Sequence, residues 1–138
     1  MKKIVALVTL LTLNGMPAVY ALNAPPIAQE FVLKPGQTIA IKQTNIKIQF
    51  DSVLNDSRCP IEVRCVWSGN AEVKLMLQRS SKQKAKPTSA IVNTVNANRS
   101  IDYLGYRIQL LKLNPGRQQG KVMPQTQYEA TFRVSRIQ

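Results

Sequence analysis

The chain has 138 residues, with 19 Lys and Arg against 7 Asp and Glu, two cysteines and no histidine, for a formal charge of +12 at neutral pH. Without histidine it lacks the commonest general base, the commonest metal ligand and the usual activator of a Ser or Cys nucleophile. The cysteines, separated by five residues, form neither a four-cysteine zinc site nor a thioredoxin-type pair, so the composition argues against an enzyme and implies no cofactor.

Met1-Lys2-Lys3 gives a short positive end, Ile4 to Leu13 is almost wholly apolar, and Val19-Tyr20-Ala21 offers a small residue for cleavage. This is the pattern of a secretory signal peptide. The apolar run is half the roughly twenty residues that a membrane-spanning helix needs. Residues 1–21 are therefore expected to be removed and 22–138 to form a single β-domain, periplasmic or secreted, without a transmembrane anchor after processing. No cysteine lies near the cut to carry a lipid.

Beyond Pro25-Pro26 most segments place apolar residues at every second position, the period of a strand with one wet face. Short strands are expected at Phe31 to Leu33 and Thr38 to Ile41. Ile46, Ile48 and Phe50 then alternate with Lys47, Gln49 and Asp51, and Val73, Leu75 and Leu77 with Lys74, Met76 and Gln78. Further strands are expected at Ala90 to Val95 and Tyr106 to Leu113, and the last carries Tyr128, Ala130, Phe132 and Val134 between polar residues. Leu110 beside Leu111 also fits a helix, but Gly105 and Pro115 leave little room for one. Turn chemistry at Pro35-Gly36, Thr44-Asn45 and Asn114-Pro115-Gly116 separates these segments, and Ser80 to Pro87 reads as a long exposed loop. About seven or eight such strands predict an antiparallel β-sandwich or small barrel.

The densest local signal is the run from Asn55 to Ala71, NDSRCPIEVRCVWSGNA. In an oxidising compartment its two cysteines are expected to form a Cys59–Cys65 disulfide. Three roles compete for it. The bridge staples a wide connection while Trp67 fills the core beside it and Gly69 permits close backbone packing. Alternatively the pinned loop recognises a partner, presenting Arg58, Glu62 and Arg64 at reduced ordering cost. A redox-active pair is the third, disfavoured by the spacing and the missing histidine. Asp51, Asn55, Asp56 and Glu62 invite a calcium site, yet the intervening arginines and the lack of EF-hand spacing argue for none; Asp56 is better placed to cap the turn or pair with an arginine. Met76 and Met123 are too few for copper and are expected to pack.

This segment resembles a family of small exported bacterial proteins and lipoproteins sharing an approximate DSRCP…C-x-W-x-G-x-A-x-V stretch. The resemblance rests on Asp56, Ser57, Arg58, Cys59, Pro60, Cys65, Trp67, Gly69, Ala71 and Val73. It implies an exported, disulfide-bridged β-domain and no particular activity. The lipidation cysteine of the lipoprotein members is missing here.

Charge is unevenly divided. Residues 22–78 hold six Lys and Arg against five acids, whereas 79–138 hold eleven against two. Arg79, Lys82, Lys84 and Lys86 cluster in one loop, and Arg133 and Arg136 are read as sharing the polar side of the last strand. Such a field concentrates anions without choosing among them, although lysines also keep edge strands apart. The leading expectation is a non-catalytic binding or accessory protein that meets an anionic envelope component or an acidic protein through this basic half. The alternative is an inhibitor-like protein that recognises its partner with the Cys59–Cys65 loop through Arg58 and Arg64. No specific nucleic-acid partner is expected, since export separates the chain from most of it and no aromatic-basic alternation appears.

Overall fold

A computed structural model of the chain describes residues 28–81, 85–95 and 98–138; the expected signal peptide, Lys82 and Lys84 lie outside the described residues. The strands are β1 (Ala28–Leu33), β2 (Thr38–Ala40), β3 (Ile46–Asp56), β4 (Ala71–Arg79), β5 (Thr88–Asn93), β6 (Ser100–Tyr103), β7 (Tyr106–Asn114) and β8 (Glu129–Arg136). They form two four-stranded antiparallel sheets, β1-β8-β7-β6 and β2-β3-β4-β5, giving the all-β sandwich that the period-two pattern predicts. No helix among the described residues is long and apolar enough to cross a membrane.

The alternation is what closes the core. Ile46, Ile48 and Phe50 of β3, Val73, Leu75 and Leu77 of β4, Ile108 and Leu110 of β7, and Ala130, Phe132 and Val134 of β8 are all buried. Phe132 joins the sheets: its ring stacks on Phe31 of its own sheet, centroids 5.8 Å apart, and meets Phe50 of the other sheet edge-on at 6.1 Å. Both are favoured aromatic geometries.

Bulges explain where the period stumbles. The β7–β8 register passes from Leu110↔Phe132 to Lys112↔Thr131, so Leu111 is an extra residue and inward parity resumes at Leu113. An inserted residue turns a spacing of two into three, and this gave the segment its helical look. A similar shift between Phe50 and Ser52 carries the inward face of β3 on to Val53.

The short strand β6 was not expected from the pattern. It joins β7 through Leu104 (φ 50°) and Gly105 (φ 81°), a two-residue hairpin turn with both residues in the left-handed region. The last strand corrects one expectation. Arg133 points outward and pairs with Glu30, whereas Arg136 has the inward parity of Val134 and emerges only because β8 ends there. Its guanidinium lies 5.8 Å from the centroid of the Tyr106 ring.

The register defines two ends of the sandwich. Ile46 pairs with Arg79 and Tyr106 with Arg136 at one end; Asp56 pairs with Ala71 and Asn114 with Glu129 at the other. Replacing Phe132 with Ala removes the ring that both sheets share. We expect unfolding in urea to show a loss of about 3–5 kcal/mol; a loss below about 1 kcal/mol would contradict its bridging role.

Candidate functional site

Residues 57–70 span the second of these ends, between β3 and β4, and hold the disulfide and Gly69 of the distinctive motif. The ladder continues past the strands: the Ser57 amide donates to the Asn70 carbonyl at 2.7 Å and the Cys59 amide to the Ser68 carbonyl at 2.9 Å. Gly69 makes this narrow neck possible. It has φ 69°, and a Cβ there would sit 1.9 Å from the Ser57 carbonyl oxygen, so no other residue fits without moving the backbone. Beyond the neck the expected Cys59–Cys65 disulfide closes the loop, with Cα atoms 5.8 Å apart.

The loop is fastened to the opposite sheet by Arg58. Its Nε donates to Asp56 Oδ1 at 2.8 Å and its Nη2 to Asp56 Oδ2 at 2.7 Å, a two-pronged charged pair. The same guanidinium donates to the carbonyls of Leu113 at 2.7 Å and Pro115 at 2.9 Å. The Tyr128 hydroxyl completes the group by donating to Asp56 Oδ2 at 3.0 Å. Arg58, read from sequence as a group presented to a partner, is thus turned inward, its side chain only 15% exposed, because these acceptors consume its fork. The other expectation for this pair, that Asp56 engages an arginine, holds.

Burial pushes the Asp56 carboxyl upward, but the Arg58 hydrogen bonds and charge, with the Tyr128 hydroxyl, outweigh it and hold the carboxyl below its ordinary 3.8. Burial first, then the hydrogen bond to Asp56, pushes the Tyr128 phenol up to about 12.

The far side of the loop rests on residues 115–119. The Ile61 amide donates to the Arg117 carbonyl at 3.0 Å, the Gln119 amide to Glu62 Oε2 at 3.2 Å, and Arg117 Nη1 to the Arg58 carbonyl at 3.3 Å. Glu62 is therefore engaged with the neighbouring segment. Asp51 lies 3.6 Å from Lys74, and no three His, Cys, Asp or Glu side chains gather among the described residues.

What the loop holds outward is apolar. Trp67 is 81% exposed, Val66 94% and Ile61 68%, with Arg64 exposed between them. The expectation that Trp67 fills the core is overturned. The narrow neck carries residues 66–68 past the sheet ends, beyond reach of the space between the sheets. Val122, 96% exposed, follows Lys121 on the adjoining segment.

Among the described residues, the other basic residues expected to bind, Arg79, Lys86, Arg133 and Arg136, are not brought to this site. Arg79 lies at the opposite end, lining an open cleft of about 520 Å³ with Gln43, Thr44, Asn45, Leu104 and Tyr106. Arg136 adjoins it over Tyr106, Arg133 is paired on an outer sheet face, and Lys86 is exposed before β5. Arg99 and Arg107 are also committed, to the Thr94 carbonyl and to Asp102. Met123 packs on the core, as expected. Sequence reasoning listed Arg58 and Arg64 for this loop but missed Val66 and Ile61; Val66 directly follows a bridged cysteine and Ile61 lies inside the loop that the bridge closes, and that placement was the available signal.

No protein-family model matches the chain, and neither does any curated protein or any solved structure.

Two outcomes follow from the clamp. A carboxylate held below its ordinary pKa adds stability that is complete above about pH 4 and is lost as pH falls through the lowered folded-state value. Asp56→Asn should therefore flatten the acid limb of a urea-midpoint profile while lowering the midpoint at neutral pH. Tyr128 carries the opposite sign: its contribution is intact below about pH 10 and fades as pH climbs toward 12, so Tyr128→Phe should remove an alkaline limb. Gly69→Ala should destabilise by several kcal/mol, measured by the same unfolding, since both the positive φ and the 1.9 Å approach oppose a side chain.

Proposed function

We propose that the protein is an exported, non-catalytic binding module whose contact surface is the disulfide-pinned loop end, engaging an anionic envelope component or an acidic protein. The observation that carries the reading is the exposure of Trp67 and Val66 on a segment anchored by a disulfide, a neck ladder and the Asp56–Arg58 pair. Large apolar side chains concentrated on an ordered surface mark interaction sites, and a segment already fixed loses little freedom on binding. Of the residues that carry the family resemblance, Pro60 turns the loop by accepting the Val63 amide and the others hold the neck, the bridge, the clamp or the core, whereas Trp67 faces solvent.

The basic half supports the reading differently from how the charge count alone implies. Arg99, Arg107, Arg117 and Arg133 are engaged with internal acceptors, and Arg79 stands at the far end. The charge is spread around the sandwich, and we assign it to drawing the molecule toward an anionic partner. An enzyme would need chemistry that the described carboxylates, each of Asp51, Asp56 and Asp102 beside a Lys or Arg, do not offer in a shared cleft.

Photocrosslinking tests this in the source cell. A benzophenone amino acid at Val66 should give adducts that the same group at Lys74, outward on the sheet face, does not; equal or absent yields would overturn the assignment of the loop end. The mass of the exported product, with and without reductant, should show loss of residues 1–21 and one disulfide.

A further inference from the structure

We propose that the loop end docks on an anionic lipid surface, with Trp67, Val66 and Ile61 entering the headgroup boundary and Arg64 and Lys121 facing lipid phosphates; this rests on the reading that the loop end is the contact surface. Three features of this end fit a bilayer better than a protein cleft. The exposed apolar groups come from separate segments, Ile61, Val66 and Trp67 from the loop and Val122 from the stretch beside it. A scattered set of projecting side chains suits a fluid boundary, which conforms to any relief. A protein partner would need a matching set of pockets.

Charge supplies the second feature. Arg64 and Lys121 stand here against one exposed carboxylate, Glu62, whose Oε2 accepts the Gln119 amide, while Asp56 is enclosed by Arg58 and Tyr128. The neighbouring Glu72 and Glu129 belong to strands β4 and β8 and alternate with their buried residues, which puts them on the outer sheet faces. Trp, aliphatic residues and a few Lys or Arg are the composition that settles at a membrane surface, the indole at headgroup level and the cations on phosphate.

Rigidity is the third. The bridge and clamp hold the tip extended before contact, so apolar insertion needs no refolding of the loop. The overall positive charge adds long-range attraction to the same surface.

The chain contains a single tryptophan, so its fluorescence reports this tip alone. Mixed with phosphatidylglycerol–phosphatidylcholine vesicles, the purified protein should show a blue-shifted emission that brominated lipid quenches and added salt reverses. Phosphatidylcholine vesicles alone should leave the emission where it is in buffer. Val66→Asp, at a site 94% exposed, keeps Trp67 and should abolish the shift without moving the urea midpoint. Arg64→Glu should weaken vesicle binding about tenfold. Unchanged emission and no bromolipid quenching of the wild-type protein on phosphatidylglycerol vesicles would overturn the lipid assignment. If that happens while crosslinks from position 66 reach a protein, the contact surface stands and its lipid partner falls. If no adduct of either kind forms, both fall.

Discussion

The two-pronged pair between Asp56 and Arg58 is the constraint around which the loop end of the sandwich is organised. It joins the last residue of β3 to the loop just beyond, and through the Leu113 and Pro115 carbonyls it ties that loop to the end of β7 in the other sheet. A partly buried charged pair is stabilising only when its remaining donors and acceptors are filled. Here Tyr128 takes the carboxylate, backbone carbonyls take the guanidinium, and no buried side-chain polar atom among the described residues lacks a partner. Removing either partner would leave a charge enclosed without compensation. That is the physical reason for reading Arg58 as a fastener.

With the base fixed in this way, the disulfide acts on a loop whose ends are already set. The neck brings Ser57 and Asn70 within one hydrogen bond, and Gly69 lets the two backbones approach closer than any side chain would allow. The bridge then restrains only the tip. The chain-entropy model gives roughly 2 kcal/mol for closing so short a loop, a modest contribution to the whole domain but a large one for a segment with few core contacts. A tip ordered by covalent and ionic means can present apolar side chains without collapsing onto them. A loop held only by its own hydrophobic contacts would have to bury those groups to stay ordered.

The two ends of the sandwich therefore differ in kind. Both ends carry an open cleft, about 530 Å³ beside the Arg58–Ser68 neck and about 520 Å³ beside Arg79 and Tyr106, but the loop end adds an exposed apolar tip with a few cations near it. Formal charge alone gives no hint of this division, because an arginine that has found an acceptor and one that has not count equally in the sum. Once internal pairs are subtracted, the binding role we propose assigns attraction over distance to the basic half and contact to the loop.

Fold class was legible in the sequence because strand formation here depends on a local rule: alternating side chains face opposite sides, so the period in Ile46 to Phe50, Val73 to Leu77 and Tyr128 to Val134 announced both strand and buried face. The pairing of Cys59 with Cys65 was legible because only two cysteines exist. The directions of Arg58, Trp67 and Arg136 were not. Each depends on what a distant segment offers: the Leu113 and Pro115 carbonyls for Arg58, the ends of both sheets for Trp67, and Tyr106 on the neighbouring strand for Arg136. Sequence fixes which residues are able to face inward. Only tertiary packing decides where the inside stops, and at the edges of this sandwich that difference separates a core residue from an exposed one.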